Sequence, residues 1–253
     1  MYAQIAPYYD LTHSLLTEDI PLALALAREA GGPILELGCG TGRLLLPLAE
    51  AGHTVTGVDN AREMLARARA RLAQADPAVQ ARVTLVEASM TDFAVENGRF
   101  ALAIIPYNTL LHLEPVEAQR AFGCIGRHLQ PDGRLFIDIA NPFVLEAAPH
   151  DGLLALEQIV DMPESDATVM QFSSSRLDQA AQRIDVTWFY DVMPTGGGAV
   201  QRAISRMAYH YRYPHQLELA LRQAGFKLEA FWGDYNRAPF TEESNRLLLL
   251  ARK

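Results

Sequence analysis

The chain reads as an α/β protein: a mostly parallel sheet with helices on both faces, interrupted late by an antiparallel β insert. Three observations carry this. Short apolar strands alternate with helix-length stretches from residue 33 to 139. Ile184, Val186, Trp188, Tyr190 and Val192 then occupy every second position, the period of a half-buried strand. The chain closes on a helix and two strands, which can add an antiparallel edge to a parallel sheet.

Taken in order, Thr17 to Gly31 predicts a helix capped by Thr17 and stopped by Gly31, with Glu18 and Asp19 at its positive end. Pro33 to Leu37 predicts a strand, ended by the turn Gly38-Cys39-Gly40-Thr41-Gly42. A helix through Leu44, Leu45, Leu48 and Ala49 follows, with Pro47 expected to kink it. Thr54 to Val58 is the next strand, and Asn60 with Glu63 suggests a capping box for a helix through Met64, Leu65, Ala68 and Leu72. Strands at 83–86, 100–105 and 134–139, with a helix from Pro115 to Leu129, complete the alternation. The insert is expected to hold three or four strands around the Gly196-Gly197-Gly198 turn. Pro214 opens a helix that Gly225 closes, ahead of strands near 226–232 and 247–251. Two units follow: 1–148 with 212–253, and the insert 149–211.

Composition narrows the function. Thirty acidic against 22 basic residues leave a formal charge of −8, against any partner held by clustered Lys and Arg on phosphates. The two cysteines, Cys39 and Cys124, lack metal-ligand spacing. Met1-Tyr2-Ala3-Gln4 shows no basic segment ahead of an apolar stretch, and no apolar run reaches the roughly 18 residues a bilayer span needs, so a cytoplasmic location is expected.

A glycine turn after a first strand lets backbone approach a ligand and aims a helix start at it. Asp59 ends the second strand, 21 residues after Gly38, where a carboxylate can accept both hydroxyls of a ribose. A nicotinamide dinucleotide and S-adenosylmethionine both fit that far. The dinucleotide fingerprint asks for Gly or Ala where this chain has Arg43. Glu36 would face a pyrophosphate with like charge, yet suits the ammonium of a methionine moiety. The reading therefore favours S-adenosylmethionine.

Glu36-Leu37-Gly38-Cys39-Gly40-Thr41-Gly42 with Val58-Asp59 resembles the first two motifs of class I S-adenosylmethionine-dependent methyltransferases. Ala88-Ser89-Met90-Thr91-Asp92-Phe93 resembles their third, with Ser89 where that family usually has Asp. Leu129-x-Pro131-x-Gly133-Arg134-Leu135 resembles the loop entering their fifth strand. The likeness covers about residues 1–141 and the last forty. It implies a Rossmann-like seven-stranded sheet with the cofactor at the carboxyl ends of the first, second and fourth strands. By the same resemblance Glu36 lies near the methionine amine and Gly38 and Gly40 against the cofactor backbone. Asp59 goes to the ribose, Asn60, Met64, Ser89 and Met90 to the adenine, and Ile105, Pro106 and Tyr107 to the slot near the sulfonium. Tyr8-Tyr9-Asp10, ahead of the first expected helix, resembles a Tyr-Asp pair that folds over the cofactor as a lid.

On the acceptor side, Tyr9 and His112 are the candidate catalytic residues, His112 because an imidazole past the fourth strand can act as a base near neutral pH. His13 and His150 are expected at the surface, and His210 on the opposite face from Tyr209 and Tyr211. The insert is similar in placement to that of nucleotide-sugar N,N-dimethyltransferases, which implies a roof over the acceptor and a homodimer contact. A small-molecule acceptor methylated on nitrogen rather than oxygen is the expectation. A tRNA methyltransferase is disfavoured because Ile104-Ile105-Pro106-Tyr107 lacks the polar residue and second proline of the Pro-Pro-aromatic motif. A nucleoside-binding protein without turnover is the other alternative. Asp138 and Asn141 offer only part of a metal site, so no metal is expected.

Overall fold

A computed structural model describes residues 5–13, 15–95, 99–162 and 165–253. The opening Met1–Gln4 stretch lies outside them. Eight helices and eleven strands run, in chain order, α1 (Ala6–His13), α2 (Ile20–Ala30), β1 (Ile34–Leu37), α3 (Leu45–Glu50), β2 (Val55–Asp59), α4 (Arg62–Leu72), α5 (Pro77–Gln80), β3 (Val83–Glu87), β4 (Phe100–Ile105), α6 (Pro115–His128), β5 (Leu129–Ala140), α7 (Pro142–Ala147), β6 (Ala155–Met162), β7 (Ala167–Asp178), β8 (Arg183–Pro194), β9 (Gln201–His210), α8 (Pro214–Gln223), β10 (Lys227–Trp232) and β11 (Arg246–Arg252). These counts are of the described residues.

Seven strands form one sheet in the order β3-β2-β1-β4-β5-β11-β10. β1 pairs parallel with both β2 and β4, while β11 runs antiparallel to β5 and β10. The chain order reverses at β1, which opens a crevice at the carboxyl ends of β1, β2 and β4. Alternate side chains feed two apolar layers, as expected for strands buried on both faces. Leu35, Leu37, Ala103, Ile105, Leu135 and Ile137 face Phe122 and Ile125 of α6 and Leu217 and Leu221 of α8. Ile34, Leu102, Ile104 and Phe136 face Leu22 and Leu26 of α2 and Leu45 and Leu48 of α3.

The second sheet has the order β6-β7-β8-β9, antiparallel throughout. Ile184, Val186 and Tyr190 are buried on its inner side, matching the alternation. β6 packs against α1, and β9 lies on the 3₁₀ turn Thr109–His112 beyond β4. The insert thus sits over the crevice rather than beside it.

Several local expectations are corrected. Tyr8-Tyr9-Asp10 lies inside α1, which the sequence reading left unassigned. α2 starts at Ile20, not at Thr17: Asp19 precedes it, and its carboxylate is taken by Arg43 instead of the helix. Gly31 does end α2, at a left-handed φ of 68° with its N–H on Ala27 O. Pro47 falls within the first turn of α3, where its missing N–H costs nothing, so it makes no kink. Asn60 does not cap α4. Ala61 is the N-cap residue and no side chain caps the helix; Asp59 Oδ1 accepts from Ala61 N at 2.8 Å just ahead of it. The short helices α5 and α7 were unread, although Asp76 and Asn141 cap them through Ala78 N and Phe143 N.

Among the described residues no helix is long and apolar enough to cross a membrane.

Candidate active site

The crevice holds a cavity of about 320 Å³. Its floor comes from the strand ends. Gly38 N and Cys39 N both bond to Val58 O, drawing the glycine turn against the end of β2. Gly38 has φ +72°, and a Cβ there would stand 2.2 Å from Thr109 Cγ2. Only glycine allows the turn and the loop after β4 to approach this closely.

Asp59 organises the turn. Its Oδ2 accepts from Gly40 N at 2.8 Å and its Oδ1 from Ala61 N at 2.8 Å. Burial pushes its acid up while these backbone bonds hold it down, with burial the larger influence. Each carboxylate oxygen retains a lone pair for hydroxyls.

Glu36 lies at the end of β1 with 1% of its surface exposed, and its Oε2 has no hydrogen-bond partner among the described residues. Burial pushes its acid up to about 8, with the Arg43 guanidinium opposing. A buried carboxylate oxygen left unmatched is costly, so it points to a cationic group that arrives from outside.

Arg43 braces this corner. Its guanidinium makes a two-pronged bond to Asp19 at 2.6 and 2.5 Å and a third to Leu16 O at 2.6 Å, tying the segment before α2 to the glycine turn. The pair is nearly buried, with 16% and 6% side-chain exposure. Arg43→Met strands the Asp19 carboxylate and is expected to cost about 3 kcal/mol of folding stability. Adding Asp19→Asn should restore part of that in urea melts. Additive losses would mean the pair contributes little.

The residues expected around a cofactor divide in two. Tyr9, Gly38, Gly40, Asp59, Asn60, Met64, Ser89, Met90 and Tyr107 all line the cavity. Ser89 Oγ is bonded to Thr91 Oγ1 at 2.8 Å, and Met64 is buried on α4. Glu36, Ile105 and Pro106 do not line it, Glu36 being buried at the end of β1. Ile105 is fully buried in the core beneath the sheet edge, because its position in β4 points it at α6. Pro106 is buried too, with its carbonyl accepting from Thr109 N.

Past Pro106 the backbone turns sharply. Tyr107 and Asn108 both have positive φ, 32° and 65°. Asn108 N bonds to Asp138 O at 2.9 Å and its Oδ1 accepts from Ala140 N at 2.7 Å, which holds the strained pair against β5. The Tyr107 ring lies between two guanidiniums, Arg43 at 5.7 Å and Arg246 at 4.8 Å from its centre.

Beyond Tyr107 lies a second, smaller cavity of about 70 Å³. Tyr9, Tyr107 and His112 border both cavities, and Gln171, Trp188, Tyr190, Met207 and Tyr209 of the insert close the small one. The sequence gives Trp188 and Tyr190 as inward positions of a strand and Tyr209 as facing away from His210, and assigns none of them, nor Gln171 or Met207, to the site. Their inward alternation was the available signal.

His112 packs its ring on Tyr209 at 5.1 Å. Burial, with some help from His210, lowers its pKa to about 4, so at pH 7 it is a neutral imidazole and a weaker base than an ordinary histidine. Burial raises the phenol of Tyr9 well above the usual range. The Tyr9 ring stacks on His13 at 4.1 Å, and burial lowers the His13 imidazole. The expectation of a surface His13 is therefore corrected. His150 likewise bridges Ser175 Oγ and Leu145 O instead of facing solvent. Asp138 is bonded to Arg246 and Tyr235, and Asn141 Nδ2 donates to three carbonyls of the 241–244 loop. Among the described residues no three His, Cys, Asp or Glu side chains gather as metal ligands.

The fold is a Rossmann-like α/β sheet with a cavity at the carboxyl ends of its central strands. Residues 34–133 match the family model described as a methyltransferase domain. The cypemycin N-terminal methyltransferase of a Streptomyces species is 26% identical, with 97% of this chain and 94% of that protein covered. The dTDP-3-amino-3,6-dideoxy-alpha-D-glucopyranose N,N-dimethyltransferase of Streptomyces fradiae is 27% identical, covering 89% and 85%. The solved structure of the CcbJ methyltransferase from Streptomyces caelestis superposes with a TM-score of 0.76 at 26% identity, over 93% of this chain and 89% of that one. The protein is an S-adenosylmethionine-dependent methyltransferase.

Proposed function

We propose that this methyltransferase acts on a small molecule and delivers the methyl group to nitrogen. S-adenosylmethionine supplies an electrophilic methyl on a sulfonium; the chain's task is to hold it, align the acceptor and exclude water. In this reading Glu36 takes the methionine ammonium, Gly38 and Gly40 lie against the cofactor, and Asp59 takes the ribose. Asn60, Met64, Ser89 and Met90 enclose the adenine, with Tyr9 and Tyr107 beside the reacting end. Residues 1–148 and 212–253 are the cofactor unit, and 149–211 the acceptor cap.

The observation that carries the acceptor reading is the pair of adjoining cavities, the smaller closed by the insert and too confined for a nucleic-acid strand. Nitrogen is favoured because an alcohol or phenol needs a general base. The groups lining the small cavity are phenols, amides, apolar side chains and two histidines of lowered basicity, with no carboxylate among them. Relatives named as an amino-sugar N,N-dimethyltransferase and as an N-terminal methyltransferase support this reading.

The test is turnover with S-adenosylmethionine against a library of small amines, phenols and carboxylic acids, plus bulk tRNA, read by mass spectrometry. Methyl gain on amines is expected. Product confined to phenols or acids would overturn the nitrogen preference, and product on tRNA the small-molecule reading.

A further inference from the structure

We infer that the 70 Å³ chamber is an aromatic site for a methylated ammonium, formed by Trp188, Tyr190 and Tyr209 of the insert with Tyr9 of α1 across from them. This rests on the nitrogen-acceptor reading and adds the charge state that the chamber is built to hold. When an amine accepts a methyl, its lone pair forms the new nitrogen–carbon bond as the carbon–sulfur bond breaks, and the breaking pair stays on sulfur. The positive charge therefore passes from sulfur to nitrogen, and the N–H proton leaves afterwards to water. No protein base is consumed, but the chamber must tolerate a cation.

Its walls are chosen for that. Among the described residues no Asp, Glu, Lys or Arg lines it, so neither a fixed anion nor a fixed cation decides the matter. Aromatic faces attract cations through their quadrupole, most strongly where water is excluded. Trp188 is the strongest such group, and its side chain hydrogen-bonds Tyr209. Tyr190 is braced by Gln171 Nε2 at 3.1 Å and stacks one face on Tyr8 at 5.5 Å. Met207 adds a polarisable sulfur 3.7 Å from the Tyr209 hydroxyl. Burial keeps these phenols protonated and both histidines neutral, so none repels an entering ammonium. Tyr107 is not counted among the cage rings, because two guanidiniums already flank it. Each of those is matched by a carboxylate, Asp19 or Asp138, which limits its reach into the chamber.

Choline and 3,3-dimethylbutan-1-ol differ only by nitrogen for carbon and so separate charge from shape. Calorimetry on the full chain saturated with S-adenosylhomocysteine is expected to show choline binding at least tenfold tighter than the neutral alcohol. Trp188→Phe, which keeps a ring, should hold that preference. Trp188→Leu should abolish it while S-adenosylhomocysteine affinity stays within about threefold. Equal affinity for the two probes, no binding of either, or a preference that survives Trp188→Leu would overturn the cage. Those results would leave amine turnover intact if only the cage is wrong. Absent amine turnover with a persisting choline preference would instead count against the parent reading.

Discussion

Glu36→Gln should weaken S-adenosylhomocysteine binding about a hundredfold and leave the cofactor-free fold no less stable at pH 8. The first effect follows from removing the carboxylate whose Oε2 stands buried and unmatched. A charge-assisted hydrogen bond to a ligand ammonium is worth roughly 2–3 kcal/mol in such a site. The second follows from the direction of the acid's shift. In the unfolded chain the carboxyl ionises near 4.5, whereas the folded protein holds its proton up to about 8. Between those values the folded state binds the extra proton, so wild-type stability falls as pH rises and the loss is complete above 8. The penalty reaches the order of a few kcal/mol, and glutamine does not incur it. Melting temperatures of both proteins from pH 5 to 8.5 should diverge upward in the variant's favour. Parallel curves would show that folding does not raise this acid, and unchanged ligand affinity by calorimetry would show that the carboxylate is not the ammonium's seat.

Gly38→Ala should cost about 2–5 kcal/mol and abolish measurable cofactor binding. Two penalties combine. A φ of +72° is strained for alanine, and its Cβ would overlap Thr109 Cγ2 at 2.2 Å. Thr109→Ala in the same chain removes that methyl and should return about half the loss. The rest remains, because the backbone strain and the 3.2 Å approach to Thr109 Cβ persist. Urea titrations of the two variants measure this directly. Full recovery in the double variant would assign the whole cost to the overlap and none to the backbone.

Much of this molecule was legible before its structure because strand-end chemistry is local. Glu36 and Asp59 are charges at the tips of apolar strands, where burial gives them no reason to stand unless something binds there. The sheet strands and the insert's inward residues follow from period-two alternation. Other features depend on distant partners. α1 carries no strong periodic signal; Ile5, just before it, packs on Val169, Tyr190 and Met207, and Gln158 bonds to Thr12 O. Arg43 was weighed only as a departure from a dinucleotide fingerprint, since its partner Asp19 lies 24 residues away in a segment read as helix. Asn60 has the spacing of a cap, but the helix starts at Ala61 with no side-chain cap, and the neighbouring Asp59 binds the backbone of Gly40 and Ala61 instead. Ile105 was placed at the slot by analogy, while alternation along β4 sends it into the core.

The docking of α1 on the insert has a consequence for biosynthesis. Ile5 rests on residues as late as Met207, so the opening helix cannot settle until more than two hundred residues have been made. During translation the nucleoside crevice can assemble strand by strand while one wall stays absent. The wall that α1 and the insert make is therefore a late addition, and β11, which pairs with β5, comes later still.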